Sequence, residues 1–197
     1  MISSLDHNAS GSKLGQILWK ELKNSNEEEL FEHLLSEDKV LRTIAACEIQ
    51  IRSTPSSFDR TLILTNSIRF EVREIAAFVL GQMGSPTAQF HEAALAPLSK
   101  LLRDPYYEVR AAVIGSFGFL ALDRQSEHSR ICSEILALLD DPEPTVREAL
   151  AFSLSYIHTE EAFIGLIKLS SDWNVAVRNA AFSSLENHND QKENLKP

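Results

Sequence analysis

The sequence predicts an all-α protein, a right-handed α-solenoid of about five helix hairpins. Three observations predict it: a recurring Val-Arg motif, apolar residues at helical spacing after each copy, and an amphipathic segment before each copy. The five copies read VLRTIAACEIQI, EVREIAAFVLGQM, EVRAAVIGSFGFL, TVREALAFSLSYI and AVRNAAFSSLENH. Their arginines are separated by 31, 37, 37 and 31 residues, and self-similarity at this period indicates stacked two-helix units.

Each copy of the motif is predicted to begin the second helix of a hairpin. The third, fourth and seventh residues after the arginine are mostly apolar, for example Val113, Ile114 and Phe117, and this spacing places them on one helix face. The first helices are predicted in the segments EEELFEHLLS, FDRTLILTNS, ALAPLSKLLRD, RICSEILALLD and EAFIGLIKLSSD. Ser25, with Glu28 three residues later, predicts a capping box at the start of the first of them.

An aspartate and an arginine recur at a fixed distance in the turns of the later hairpins. The aspartate lies six residues before the arginine, where a carboxylate can accept hydrogen bonds from the free N–H groups of the second helix. The planar guanidinium can bind a carboxylate in its own or an adjacent repeat. We therefore expect a structural ladder made of Arg42, Arg73, Arg110, Arg147, Arg178, Asp104, Asp141 and Asp172. Ser36 and Ser67 replace the aspartate in the first two turns, which we expect to be looser or differently capped.

Both ends of the sequence are polar and lack helical periodicity. We expect residues 1–25 to form a flexible segment with a short capping helix around residues 14–22. Residues 26–187 are expected to form the repeat array, and residues 188–197 a flexible tail. Neither end is expected to contribute to the core.

Composition and charge restrict the classes of partner. The chain has 28 acidic and 19 basic residues and a net charge of -9, which disfavours nucleic acid and favours basic partners. Cys47 and Cys132 lack CxxC spacing and are interpreted as small buried apolar residues. The sequence contains neither a signal-peptide h-region nor an apolar run of the ~18 residues that cross a membrane. We therefore expect a cytoplasmic protein that binds neither nucleic acid nor membrane.

The sequence carries no recognisable catalytic or cofactor motif. None of its six histidines has the i,i+4 or HExxH spacing of a metal site. A Gly-rich phosphate loop is also missing from the sequence. We therefore expect no metal, no cofactor and no catalytic residue, and we interpret the chain as a protein other than an enzyme.

The units of the form D-P-x-x-x-V-R-x-x-A resemble HEAT repeats of the bilin-lyase type, over about residues 26–186. The segments EELFEHLL, LRTIAACEIQIR and EVREIAAFVLGQMG are similar in order and spacing to YibA-like HEAT proteins encoded beside Rhs-type toxin elements. Members of that group are regarded as immunity proteins. The resemblance therefore implies a protein of bacterial competition that binds and neutralises a cognate toxin. A HEAT-like DNA glycosylase, and an adaptor or bilin-lyase-type subunit, are the alternatives.

Second helices usually line the concave side of HEAT arrays, so the residues that bind a partner are expected on them. Glu74 and Phe78 lie one helical turn apart in the second repeat, as do Glu148 and Phe152 in the fourth. Either these aromatic rings bind a partner, or they pack against neighbouring helices. The residues expected to bind a partner, a basic toxin domain, on the concave face are Glu74, Phe78, Glu148, Phe152, Tyr156 and Trp173.

Overall fold

The computed structural model describes residues 13–85, 87 and 89–194 of the chain. Within these ranges it contains eleven α-helices, two short 3₁₀ helices, Gln125–Glu127 and Leu136–Leu138, and no strand. The α-helices are α1 (Lys13–Leu22), α2 (Glu27–Leu34), α3 (Lys39–Arg52), α4 (Pro55–Leu64), α5 (Phe70–Gln82), α6 (His91–Leu101), α7 (Tyr107–Asp123), α8 (His128–Ile135), α9 (Pro144–Leu154), α10 (Glu160–Leu169) and α11 (Val175–Asn194).

Ten of these helices form five consecutive hairpins, from α2 with α3 to α10 with α11. This confirms the predicted all-α solenoid of five helix hairpins. The short helix expected near residues 14–22 is present as α1 and packs against α3. Residues 1–12 and 195–197 lie outside the described part of the chain. The boundary expected at residue 187 lies inside α11, which continues to Asn194, because the Asp, Gln, Lys and Glu that follow contain no helix-breaking residue.

The second helices α3, α5, α7, α9 and α11 form the central row of the array, each packed against the next. Small residues allow their close approach. A Cβ atom added to Gly81 would lie 2.5 Å from Ser116 Cβ, and one added to Gly118 would lie 2.9 Å from Ser153 Oγ. Both glycines are buried between helices, where they allow the backbones to approach closely.

Two serine hydroxyls add hydrogen bonds across this central row. Ser116 Oγ donates to the Ala77 carbonyl at 2.8 Å, and Ser153 Oγ donates to the Ile114 carbonyl at 2.9 Å. Both serines are buried, and a buried hydroxyl is stabilised only when it is hydrogen-bonded. The central row is therefore held by polar contacts as well as by apolar packing.

The first helix of the array begins one residue later than the sequence analysis predicted. Asn26, rather than Ser25, is the N-cap: its Oδ1 accepts from Glu29 N at 3.0 Å, and its own N–H donates to Glu29 Oε2 at 3.0 Å. The prediction of a capping box at Ser25 and Glu28 is therefore wrong. Asparagine caps a helix as well as serine does. The sequence is therefore compatible with a capping box that begins at either residue.

Candidate functional site

Three arginines join neighbouring repeats through paired hydrogen bonds to carboxylates. In each pair, the arginine lies on a second helix and the aspartate lies in the turn of the next hairpin. The donor–acceptor distances lie between 2.6 and 3.0 Å. The pairs are Arg73 with Asp104, Arg110 with Asp141, and Arg147 with Asp172.

The same guanidinium groups also bind the turn of their own repeat. Nη1 of Arg110, for example, donates to the carbonyl of Asp104 at 2.9 Å. Arg42 and Arg178, at the two ends of the ladder, bind their own turns in this way through the carbonyls of Ser36 and Asp172, at 2.8 and 2.7 Å. The ladder therefore fixes the hairpin turns and the stacking of repeats together.

The aspartates do not cap the second helices as the sequence analysis expected. Oδ1 of Asp104 accepts from Tyr106 N at 3.0 Å, one residue before α7 begins, and the N-cap of α7 has no side-chain hydrogen bond. Asp141 and Asp172 likewise bind the amide two residues later. Their remaining capacity is taken by the arginine of the preceding repeat. They therefore shape the turn and join repeats, and helix capping is not their role.

The first turn is capped differently from the later ones, as expected, whereas the second keeps their local hydrogen bond. In the first, Oδ1 of Asp38 accepts from Val40 N and Leu41 N at 2.8 and 3.1 Å. In the second, Ser67 Oγ accepts from Arg69 N at 3.2 Å, as Asp104 does from the amide two residues later, and the N-cap has no side-chain hydrogen bond. A serine hydroxyl cannot form a bidentate ion pair with an arginine. The carboxylate ladder consequently begins at Arg73.

The two predicted Glu-Phe pairs differ in the solvent exposure of their aromatic rings. The shared helical register places all four residues on one side of the second helices, beside the buried core positions. Phe78 is half-buried and packs against the core, whereas the Phe152 side chain is 41% exposed. Glu74 and Glu148 are half-buried. We call the face formed by Glu74, Phe78, Glu148 and Phe152 the second-helix surface.

The two other predicted binding residues lie outside these helices. Tyr156 follows the end of α9 and is exposed. Trp173 lies in the turn between α10 and α11, where its ring is 74% exposed and its centroid is 5.1 Å from Arg147 Cζ. It borders a groove of about 520 Å³ that Leu139, Pro142 and Lys168 also line. The structure therefore places Trp173 at the edge of the array, beside the turns.

A group of glutamates surrounds Glu74 on the second-helix surface. Burial raises the pKa of Glu74, the positive charges of Lys39 and Arg42 oppose this shift, and the charges of Glu108 and Glu71 add to it. One carboxylate oxygen of Glu108, Oε2, is buried and accepts no hydrogen bond within the described residues. The charges that act on Glu74 are therefore of both signs, and the cations Lys39 and Arg42 act on it more strongly than Glu108 and Glu71 do.

Sequence reasoning missed Glu71 and Glu108 as members of this group. Both occupy the same register, two residues before the motif arginine, in the segments FEVR and YEVR. The signal that identifies them is this shared register, since residues at one repeat position form a row along a stacked array.

Neither cysteine is in a disulfide. Cys132 is buried, its Sγ accepts from Thr159 Oγ1 at 3.4 Å, and burial raises the pKa of its thiol. Cys47 is only half-buried. Among residues 13–85, 87 and 89–194, no three His, Cys, Asp or Glu side chains are grouped to hold a metal ion. No helix in these ranges is long and apolar enough to span a membrane.

Comparison with known proteins identifies the type of repeat. Residues 72–104, from α5 to the turn after α6, match the model of the PBS lyase HEAT-like repeat. The structure of YibA from Escherichia coli is similar over 94% of this chain and 65% of the YibA chain, with a TM-score of 0.81 and 25% identity. This chain is therefore a HEAT-repeat protein and spans about two thirds of the length of YibA.

Designed solenoids have the same architecture. A designed armadillo repeat protein in complex with the peptide (KR)4 matches 94% of this chain and 90% of its own, with a TM-score of 0.55 and 19% identity. An engineered protein matches 95% of this chain and 88% of its own, with a TM-score of 0.63 and 21% identity. A comparison with curated proteins finds no match. These designed relatives show the fold alone.

Proposed function

We propose that this chain is a non-catalytic protein-binding module whose second-helix surface receives a basic protein segment. The observation that carries the proposal is Glu74, a half-buried carboxylate whose pKa is raised by burial and, to a smaller degree, by the charges of Glu108 and Glu71. A carboxylate in such surroundings gains more from a cationic ligand than a fully solvated one does. A lysine or arginine side chain of a partner supplies that cation.

Aromatic side chains further along the array provide apolar anchors for the same partner. Phe152 and Tyr156 lie in the fourth repeat and are both exposed. In protein–protein interfaces, a few aromatic residues often contribute most of the binding energy, and polar or charged residues surround them. Exposed aromatic rings beside carboxylates fit this description. The partner therefore combines basic residues, placed opposite the second repeat, with apolar residues placed opposite the fourth.

The designed armadillo protein supports this class of ligand, since a stacked helical array of similar fold holds the basic peptide (KR)4. The net charge of -9 speeds association with a basic partner and opposes binding to a nucleic-acid backbone. This charge disfavours the DNA glycosylase alternative.

More specifically, we propose that this chain is a bacterial immunity protein that binds and neutralises a cognate toxin. The proposed partner is a basic toxin domain. The support is the resemblance to YibA-like HEAT proteins encoded beside Rhs-type toxin elements, together with the acidic second-helix surface. Neutralisation requires affinity without catalysis, because a bound acidic array can cover a basic active surface.

Binding to a fluorescein-labelled (KR)4 peptide, measured by anisotropy at low salt, tests the general proposal. We expect Glu74→Lys to weaken binding about tenfold or more, which corresponds to about 1.4 kcal/mol or more. Glu32→Lys is the matched control, since Glu32 is exposed on the first helix α2 and the change in net charge is identical. Equal loss in the two variants would show a nonspecific charge effect and contradict the assigned surface.

Co-expression with a basic Rhs-type toxin domain, chosen from genes adjacent to the one for this chain, tests the finer proposal. We expect the protein to restore growth and to co-purify with that domain. Peptide binding without growth protection would reject the immunity role while leaving the binding module intact.

A further inference from the structure

The turns inside the last four hairpins each expose an apolar residue at the same position. This residue directly follows Ser67 or one of the ladder aspartates, and all four are exposed, Ile68 to 98% and Trp173 to 74%. Single exposed apolar residues are common on protein surfaces, but a shared repeat position arranges these four in a line along the array. We call them the turn row: Ile68, Pro105, Pro142 and Trp173.

The ladder arginines hold the backbone of the turn row. Nη1 of the arginine that follows each turn donates to the carbonyl of the row residue, at 3.3 Å in the first three of these turns and at 3.0 Å for Trp173. The same nitrogen also donates to the preceding carbonyl. The four turns therefore share one set of hydrogen bonds, so residues at one turn position can be compared directly between repeats.

The residue two places before each row residue is polar and exposed in all four turns. Asn66 and Ser171, in the outer two turns, are uncharged, whereas Arg103 and Asp140, in the middle two, have opposite charges. Within the array, Asp140 binds Lys168 Nζ at 2.6 Å, and its side chain is still 81% exposed. The opposite charges therefore lie on the two sides of the midpoint between the third and fourth repeats.

A twofold axis through this midpoint would bring a second copy onto the turn row with the order of its repeats reversed, because a twofold contact pairs each position with its symmetry mate. The second repeat of one copy then faces the fifth of the other, and the third faces the fourth. Each Pro105 meets a Pro142. Each Ile68 meets the large apolar ring of a Trp173. The apolar residues of the row are thus all covered by apolar residues.

The same reversal also pairs opposite charges. Arg103 of each copy faces Asp140 of the other, so this ion pair forms twice, once on each side of the axis. We propose that the turn row is a self-association surface, through which two copies of this chain form an antiparallel, twofold-symmetric dimer. The apolar contacts supply affinity, and the two ion pairs fix the register. The row contains no residue of the second-helix surface, so the proposal does not depend on the proposed binding function.

Sedimentation velocity over about a hundredfold range of concentration tests the proposal, because a self-association equilibrium is concentration-dependent. We expect the unmodified chain to shift from monomer to dimer as concentration rises. Arg103→Asp and Asp140→Arg are each expected to weaken the dimer about tenfold or more, because like charges then face each other across the axis. The two substitutions together exchange the charges and keep the net charge, and are expected to restore the dimer to within about threefold.

Ile68→Lys tests the apolar contact and is also expected to weaken the dimer. Its matched control is Ile63→Lys, since Ile63 is an exposed isoleucine of the same repeat on the first helix α4. Asp59→Arg, on the same helix, controls for the charge change at Asp140. Both controls are expected to dimerise like the unmodified chain, and circular dichroism checks that each variant keeps its helices.

Three outcomes would overturn the proposed dimer. The first is an unmodified chain that stays monomeric at every concentration. The second is a dimer that the single charge reversals leave unchanged. The third is a doubly substituted chain that associates as weakly as the single variants, because the two charges would then not face each other.

Discussion

Arg110 and Asp141 join the third repeat to the fourth through two hydrogen bonds, Nε to Oδ2 at 2.7 Å and Nη2 to Oδ1 at 2.8 Å. The side chains are only 12% and 4% exposed. A third bond, from Nη1 to the Asp104 carbonyl, ties the same guanidinium to its own turn. One side chain therefore couples a hairpin turn to a repeat interface, and removal of it affects both.

We predict that Arg110→Ala destabilises the fold by roughly 1–3 kcal/mol, the range for loss of a charge-assisted hydrogen bond and exposure of its partners. Chemical denaturation followed by circular dichroism measures the change. Arg103→Ala serves as control, since Arg103 is exposed beside the same turn and is expected to change stability by less than about 0.5 kcal/mol. Unchanged unfolding of the Arg110 variant would contradict a structural ladder.

The ladder also makes stability depend on acid pH. The hydrogen bonds from Arg147 hold the pKa of Asp172 below its ordinary value, against the opposing effect of burial. A depressed carboxyl pKa contributes stability above the unfolded pKa of about 3.9 and loses it as pH falls through the folded pKa.

We therefore predict a fall in melting temperature as the pH drops below about 4 that is smaller for Asp172→Asn than for the unmodified chain. The variant is expected to be less stable at neutral pH and to approach the unmodified chain in acid. Parallel melting curves for the two proteins across this range would contradict the linkage.

Close helix contact gives a third prediction. Gly81→Ala places a Cβ 2.6 Å from Ser116 Cα, a backbone atom that cannot move independently of its helix. The higher helix propensity of alanine favours the variant by about 1 kcal/mol, but overpacking costs typically about 1–3 kcal/mol. We expect net destabilisation, measured by thermal unfolding.

Gly165→Ala is the control for this contact. Its added Cβ meets only the ends of the Leu136 and Leu154 side chains, at 2.8 and 3.1 Å, which can rotate away. We expect the Gly165 variant to lose less stability than the Gly81 variant. A larger loss of stability in the Gly165 variant would show that the backbone contact at Gly81 is not the main source of destabilisation.

The solenoid could be predicted from sequence because five copies repeat one pattern, and each copy independently specifies a turn and an apolar face. The residues of the ladder were likewise visible as a fixed Asp-to-Arg spacing, but that each arginine binds the aspartate of the next repeat, and not that of its own, required the structure. The N-cap at Asn26 could not be predicted. Ser25 and Asn26 each precede a glutamate by three positions, so either could form a capping box, and only the structure shows which one does. The exposure of Phe152 and the burial of Phe78, which share one register, depend on neighbouring repeats and so required coordinates.

The acidic group on the second-helix surface makes binding of a basic partner dependent on pH. Since burial raises the pKa of Glu74, part of the Glu74 population is uncharged at pH values where an ordinary glutamate, with a pKa of about 4.3, is ionised. We predict that affinity for the (KR)4 peptide increases as pH rises through the raised pKa, and that Glu74→Gln removes much of this increase. Titration calorimetry in two buffers of different ionisation enthalpy should show proton release by the unmodified chain only.

The last prediction concerns the two glutamates that lie in the same register two repeats apart, Glu74 in α5 and Glu148 in α9. The double substitution Glu74→Lys and Glu148→Lys changes the net charge from -9 to about -5 and reverses the sign of the second-helix surface at both positions. We expect helicity and melting temperature to change little, because neither residue is in the ladder. Association with a basic toxin domain is expected to slow by about tenfold or more, with a salt dependence opposite in sign to that of the unmodified chain.

In cells producing a toxin domain that the unmodified protein neutralises, the doubly substituted protein is expected to lose protection. The matched control substitutes Glu32 and Glu160 with lysine, since both residues are exposed on first helices and the change in net charge is the same. Full protection by the second-helix variant at low expression would place the partner on the first helices or the turns. Loss of protection in both variants would instead show that net charge acts without a defined surface.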